Sequence, residues 1–348
     1  MNSFKSDFLE KQPISHSFLR TIRLLGEYRG KETLFMQQTP QVLESLRQVA
    51  IIQSTESSNR IEGINAPADR IKKLVEHKTT PKNRSEQEIA GYRDALATIH
   101  ANHANMPFTV GIVLQLHRDL YQFVAQQGGR WKMTDNEISE TRADGTKITR
   151  FRPTPAHQTP DAMDQLHALF REQWEQGKID PLLLIPAYVF DFLCIHPFTD
   201  GNGRMARLLT LLLLYHAGFE VGRYISLEYM VEKQREGYYD SLYKSSQGWH
   251  EGAHNLLPWW EYFLGVMLIG AYREFEHRTG ELTSAYGAKR QLIMGVIGRL
   301  PMTFRVADIE SACPGVSRPT INRALRDLRE AGKIICEKGG RDAVWRKT

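Results

Sequence analysis

The chain has 348 residues, 41% hydrophobic and 24% charged, which describes an ordinary ordered globular protein and excludes a disordered or low-complexity one. Its three cysteines, Cys194, Cys313 and Cys336, are odd in number and far apart, which excludes a disulfide framework or a CxxC metal site and fits a reducing compartment. The formal net charge of +5 is uneven: residues 285–348 hold 13 Lys or Arg against 6 Asp or Glu, so the basic character belongs to the C-terminal end.

No apolar signal region opens the sequence, and no uncharged apolar run approaches the length of a membrane span, so no membrane contact is expected and the expected location is the cytoplasm. From Leu19 to about His77 the pattern is helical, with Leu24, Leu25, Leu43, Leu46, Val49, Ile51 and Ile52 at core spacings. Within it, Ser58 and Glu62 lie four apart and share a helix face. Taken alone, Ser58-Asn59-Arg60-Ile61-Glu62-Gly63 reads as a solvated helix end capped by Gly63.

Pro81 to Arg84 breaks the pattern, and Ser85 with Glu88 forms an expected capping box for a helix through Ile99. His100 and His103 are one turn apart but have no further ligand nearby, which favours a surface pair over a metal site. Another helix follows Thr109. Gly128 to Pro155 changes character, and Ile138, Thr149 and Phe151 around Asp144-Gly145 fit either a β-hairpin or a surface loop. Helices are expected again from Thr159-Pro160 and from Pro181.

The densest chemistry is His196-Pro197-Phe198-Thr199-Asp200-Gly201-Asn202-Gly203-Arg204-Met205-Ala206-Arg207. Apolar runs flank it on both sides, so it reads as a charged loop between two buried helices. Gly201 and Gly203 before a helix allow an anion nest, and Arg204 and Arg207 in its first turn are expected to clamp a phosphate chain. Asp200 suits a hard cation shared with phosphates, as Mg²⁺ usually is. His196 is the one group in the cluster with an unperturbed pKa near neutrality, which suits a general base. Burying His, Asp and two Arg there is costly unless they serve a ligand. A dinucleotide fingerprint is rejected because Gly201 follows a helical pattern rather than a strand.

This stretch resembles the signature of the Fic family, His-x-Phe-x-Asp/Glu-Gly-Asn-Gly-Arg-x-x-Arg, and every fixed position is matched. The resemblance implies a mainly α fold: a helical bundle with a small β-hairpin flap. It also implies transfer of AMP from Mg-ATP to a Tyr, Ser or Thr hydroxyl of a protein, the chain itself included. His196 would be the base, Phe198 the anchor in the core and Asp200 the Mg²⁺ ligand. The stretch from Gly201 to Arg207, with Asn202, Met205 and Ala206, would hold the nucleotide. The hairpin would be a flap over the site, with Lys147 to Phe151 aligning the target by strand addition.

Read beside that motif, Ser58 to Gly63 is similar to the family's inhibitory motif, Ser/Thr-x-x-x-Glu-Gly/Asn. Glu62 would then occupy Arg207. Val231 to Ser245 carries Tyr238, Tyr239 and Tyr243; the stripe suits a core, and the resemblance places the adenine pocket nearby, with Tyr239 as the contact. Leu256 to Phe275 reads as one long closing helix.

In the last region, helices over Lys289 to Leu300, Val306 to Ala312 and Ser317 to Ala331 precede short strands at Lys333 to Glu337 and Ala343 to Arg346 around Gly339-Gly340. This order resembles a winged helix-turn-helix, with Arg318, Asn322, Arg323, Arg326 and Arg329 on the third helix. DNA binding stands there against dimerisation or protein docking. The expected division is an N-terminal helical region 1–108, a catalytic core 109–280 and a winged helix 285–348. Two functions follow: an autoinhibited AMP transferase, or a DNA-binding regulator with a nucleotide-sensing domain. Whether the protein works as a homodimer stays open.

Overall fold

The structure, a computed structural model, describes residues 2–5, 7–38, 40–125, 127–141, 146–284, 286–338, 340 and 343–348. The expected hairpin turn Asp144-Gly145, and Gly339 of the last turn, lie outside the described residues. The order is mainly helical. It begins with α1 (His16–Gln38), α2 (Pro40–Ile61), α3 (Ala68–Val75), α4 (Arg84–Asn102) and α5 (Val110–Leu120). A hairpin of β1 (Ile138–Thr141) and β2 (Lys147–Phe151) follows, then α6 (Thr159–Gln176), α7 (Pro181–Ile195), α8 (Asn202–His216), α9 (Leu227–Lys233) and α10 (Arg235–Ser246). The expected closing helix divides into α11 (Leu257–Trp260), a widened π-helical run Glu261–Leu268 and α12 (Ile269–Ser284).

These elements fall into two compact units, Met1–Arg29 with Gln48–Tyr272, and Gly30–Arg47 with Arg273–Thr348. The last division between them falls within α12, between Tyr272 and Arg273. No helix among the described residues is long and apolar enough to cross a membrane.

In the first unit α7 is the central rod. Asp180 caps it, accepting from Leu182 N at 2.8 Å, Pro181 supplies a pre-set φ at its first turn, and Leu182 to Ile195 are all buried. Its one charged residue, Asp191, is fully buried and therefore needs donors. Ser3 Oγ and Trp249 Nε1 each donate to its Oδ1 at 2.6 Å, and Ser3 N donates to Oδ2 at 3.1 Å. The turn Asn2–Phe4 is thereby pinned against the middle of α7. Leu208 to Tyr215 of α8 is likewise buried, so the loop 196–201 spans between two core helices, as the apolar flanks imply.

Two local expectations change. The cap of α4 is Asn83, whose side chain accepts from Glu86 N at 2.9 Å, and Ser85 lies inside the helix. Asn competes at least equally with Ser for that position, and Glu88 is used elsewhere. His100 is buried rather than on the surface; its Nδ1 is 2.9 Å from Tyr215 Oη, and the His103 carbonyl faces His216 Nε2 at 2.9 Å. Among the described residues no group of three His, Cys, Asp or Glu could hold a metal.

The second unit carries α13 (Tyr286–Arg299), β3 (Thr303–Arg305), α14 (Val306–Ala312), α15 (Arg318–Glu330), β4 (Ile334–Lys338) and β5 (Val344–Lys347). Its sheet is antiparallel in the order β3-β5-β4, with Phe304 opposite Trp345. Ile293, Ile297, Ile309, Ile321, Leu325 and Leu328 form its core. The strand β3 was not anticipated, because three residues are too few to show a period.

Candidate active site

His196 ends α7 in the left-handed region, with φ 51°. Its own N–H donates to Phe192 O at 2.9 Å, and Nδ1 lies 3.3 Å from Leu193 O. A carbonyl only accepts, so Nδ1 carries the hydrogen and Nε2 keeps its lone pair. Burial pushes the imidazole down to about 4, with the nearby Lys132 charge acting in the same direction and Glu62 and Asp200 against it. At neutral pH the ring is therefore an uncharged acceptor.

The loop after it is held from within. The Asn202 side chain accepts from Phe198 N at 2.9 Å and donates to Phe198 O at 2.7 Å, closing residues 198–202 on themselves. Phe198 is fully buried, and the His117 ring stacks on it at 3.6 Å with the planes 2° apart. Gly129 N donates to His117 Nδ1 at 2.8 Å, so Nε2–H of that histidine donates to Asp200 O at 3.1 Å. Asp200 Oδ1 accepts from Gly201 N at 2.7 Å, and the carboxylate remains about half exposed.

Gly201 takes φ 80°, which aims the start of α8 at the loop. The first intrahelical bond is Met205 N to Gly201 O at 2.9 Å, leaving the N–H groups of Asn202, Gly203 and Arg204 ahead of the ladder at the positive end of the helix dipole. Met205 and Ala206, expected among the nucleotide-binding residues, turn their side chains into the core, and the Met205 N–H is already bound.

The two arginines, three apart, take different partners. Arg204 is 1% exposed; its Nη1 is 2.8 Å from Glu88 Oε2, and its Nη2 donates to Tyr121 Oη at 2.8 Å. Arg207 Nε donates to Ser58 Oγ, and its Nη2 donates both to Ser58 O and to Glu62 Oε1, each at 2.8 Å. Burial alone would lower the Arg207 pKa, but Glu62 and the phenols of Tyr238 and Tyr92 hold it above the ordinary value. Arg207 Nη1 and Arg204 Nε are buried with no hydrogen-bond partner among the described residues, so each guanidinium keeps a spare donor.

Ser58 and Glu62 thus meet the motif, as the face-sharing pattern requires. Glu62 lies so close to Gly203 that a Cβ there would stand 2.2 Å from Glu62 Oε1. The end of α2 is secured by Arg235 Nη2 donating to Ile61 O at 2.9 Å and by Arg60 pairing with Glu232 at 3.1 Å. Tyr239 is 44% exposed beneath the Arg235 guanidinium at 5.7 Å; burial of its phenol and the nearby Glu62 charge raise its pKa. Its neighbour Tyr238 is a core residue.

The hairpin forms with Ile138 opposite Phe151 and Thr141 opposite Lys147. Phe151 stacks on His250, and the strand borders a groove of about 390 Å³ shared with Ser246 to Glu251. Sequence reasoning missed Glu88, His117, Tyr121, Lys132 and Asn136. Each acts on the motif across 60 or more positions, which leaves no local sequence signal.

A model of the Fic/DOC family matches residues 107–214, which contain the loop, its two helices and the hairpin. Residues 107–214 thus form a domain that matches the Fic/DOC family. Similar curated proteins include the protein adenylyltransferase Fic of Nematostella vectensis, 27% identical over 210 residues, covering 57% of this chain and 44% of that one. Its namesake in Culex quinquefasciatus is 27% identical over 217 residues, covering 59% and 39%. The chain thus spans less than half the length of these relatives. Among solved structures, a Fic family protein of Desulfovibrio desulfuricans superposes with a TM-score of 0.64 at 22% identity, covering 97% of both chains. A Fic-1 fragment of C. elegans gives 0.56 at 18%, covering 76% of this chain and 72% of that one. These likenesses support the same Fic fold.

Proposed function

We propose that the chain is a protein adenylyltransferase that moves AMP from ATP to a protein hydroxyl and is restrained by its own Glu62. The observation that carries this reading is the uncharged His196, Nε2 unprotonated, beside a helix N-terminus flanked by two guanidinium groups with unused donors. The incoming hydroxyl gives its proton to Nε2 while its oxygen attacks the α-phosphorus. The new P–O bond forms as the bond to the bridging oxygen breaks, and pyrophosphate leaves with that electron pair. The N–H groups of Asn202 to Arg204 and the spare guanidinium donors receive the phosphate oxygens.

The half-exposed Asp200 carboxylate suits Mg²⁺, which binds through one or two carboxylates, substrate phosphates and water rather than a full protein cage. When bound, the ion neutralises phosphate charge. Oxygens of Asp200 would hold it.

Glu62 restrains the site by holding Arg207 Nη2 and by resting against Gly203, where an incoming anion is received. The curated relatives bear the adenylyltransferase name, which supports the donor assignment. Substrate proteins would align along the hairpin edge at Lys147 to Phe151, beside the groove toward Ser246 to Glu251. The test is His196→Ala with α-labelled ATP: transfer to protein falls by about 10² or more, and an unchanged rate refutes the mechanism.

A second reading has its own observation. In α15 the apolar residues Ile321, Ala324, Leu325 and Leu328 face the core, while Asn322, Arg323, Arg326 and Arg329 are exposed. This is the polarity of a winged-helix recognition helix, and it supports a DNA-binding regulator in which the Fic domain senses nucleotide. DNA binding that survives His196→Ala would favour it.

A further inference from the structure

The last carbonyls of α7 and the first of the motif loop have no helical partners and must be satisfied elsewhere. Leu193 O is taken by the His196 ring and Cys194 O by Thr154 N at 3.4 Å. The next four are met by two residues just before the hairpin. Lys132 Nζ donates to Ile195 O at 3.0 Å, and Lys132 N donates to Pro197 O at 2.8 Å. Asn136 Nδ2 reaches His196 O at 3.4 Å and Phe198 O at 3.1 Å, while its Oδ1 accepts from Lys132 Nζ at 2.8 Å.

We propose that Lys132 and Asn136 are positioning residues for His196, clamping the carbonyls of Ile195 to Phe198 so that its ring stays in the left-handed turn with Nε2 presented to the site. A non-glycine residue at φ 51° persists only where its surroundings over-determine it, and this clamp acts on both sides of the strained residue. Lys132 is only 3% exposed, and its charge lies at the negative end of the α7 dipole. A buried ammonium is retained there because two oxygens, Ile195 O and Asn136 Oδ1, accept from it at the negative end of the α7 dipole.

The clamp has a second consequence. The charged groups facing the imidazole are Lys132 from this segment, Glu62 from the end of α2 and Asp200 from the loop itself. Lys132 is the cation among them, so it opposes protonation of the base.

The inference rests on the transferase reading, and two readouts separate the two. In full-length protein carrying Glu62→Gly, Lys132→Met and Asn136→Ala each lower kcat for AMP transfer by about 10- to 100-fold, the scale set by ångström misplacement of a catalytic group. The KM for ATP stays within about two-fold, and Lys132→Arg recovers most of the rate. The second readout needs no turnover: the His196 ring is followed by NMR and assigned by loss of its signal in His196→Ala. Its midpoint rises in Lys132→Met and returns in Lys132→Arg. Asn136→Ala keeps the ammonium and remains informative if Lys132→Met does not fold.

Unchanged kcat in Asn136→Ala, or an unmoved His196 midpoint in folded Lys132→Met, overturns the clamp. Absence of transfer in the Glu62→Gly parent overturns the transferase reading alone, and the NMR midpoint then decides the clamp.

Discussion

Replacing Glu62 by Gly removes one carboxylate oxygen from a guanidinium that keeps its two bonds to Ser58. The bond lost is charge-assisted and 2.8 Å long; such bonds contribute about 1.5 to 3 kcal/mol. Arg207 is 6% exposed, but the Glu62 side chain is 32% exposed, so solvent screening places the pair at the lower end, about 1.5 to 2 kcal/mol. With about 1.4 kcal/mol per decade, the freed Arg207 raises the fraction of molecules able to receive a triphosphate by about 10- to 30-fold. The assay is incorporation of label from α-labelled ATP into the chain and into lysate proteins at sub-saturating ATP. Glu62→Gln, which keeps the shape and loses the charge, falls between the two. An unchanged rate in Glu62→Gly, with ATP affinity intact by calorimetry, refutes the assignment of Glu62 as the restraint.

Four further outcomes are expected. Because burial holds the His196 imidazole at about 4, kcat/KM for transfer stays level from pH 8 to about 5 and falls only below that; a limb centred on 6.5 refutes it. The same burial holds His117, His167 and His254 at about 4, so the unfolded chain, titrating near 6.5, binds more protons between those values. Stability is therefore full above about 6.5 and is lost as pH falls toward 4, which a drop in Tm between pH 7 and pH 5 checks. Glu88→Gln leaves the buried Arg204 with only the half-exposed Asp200 carboxylate at 3.8 Å and costs about 3 kcal/mol in denaturant unfolding, partly recovered by adding Arg204→Met. If α15 binds DNA, affinity falls steeply with salt, and Arg326→Ala and Arg329→Ala each reduce the slope by about one; a flat response argues against DNA.

The residues that announce themselves in sequence are those whose partners are near in the chain. Pro181, Thr109 and Thr159-Pro160 mark helix starts through local backbone chemistry, and the helices begin there. Phe198 and Asn202 close their loop on themselves, so the local spacing was enough to mark a turn ahead of a helix. The Glu62 contact was legible only because two separate patterns resembled one family. Glu88 illustrates the opposite case: its spacing from Ser85 suggests a capping box, yet its carboxylate pairs with Arg84 and with Arg204, 116 positions away. Lys132 looked like any lysine beside an exposed methionine, since no local pattern records that the carbonyls of Ile195 and Pro197 need a donor from a residue 63 or more positions away.

On the proposed reading of Glu62 as a restraint, its contact with Gly203 implies a particular kind of competition. The carboxylate and the terminal phosphate of a nucleotide are both anions directed at one helix end, and one belongs to the chain itself. A tethered competitor acts at an effective concentration set by geometry, on the millimolar scale for short linkages. Diluting the protein leaves that concentration unchanged, whereas raising the nucleotide opposes it. The resting rate per molecule is then a reading of nucleotide supply against a fixed internal standard, one built from the last turn of α2.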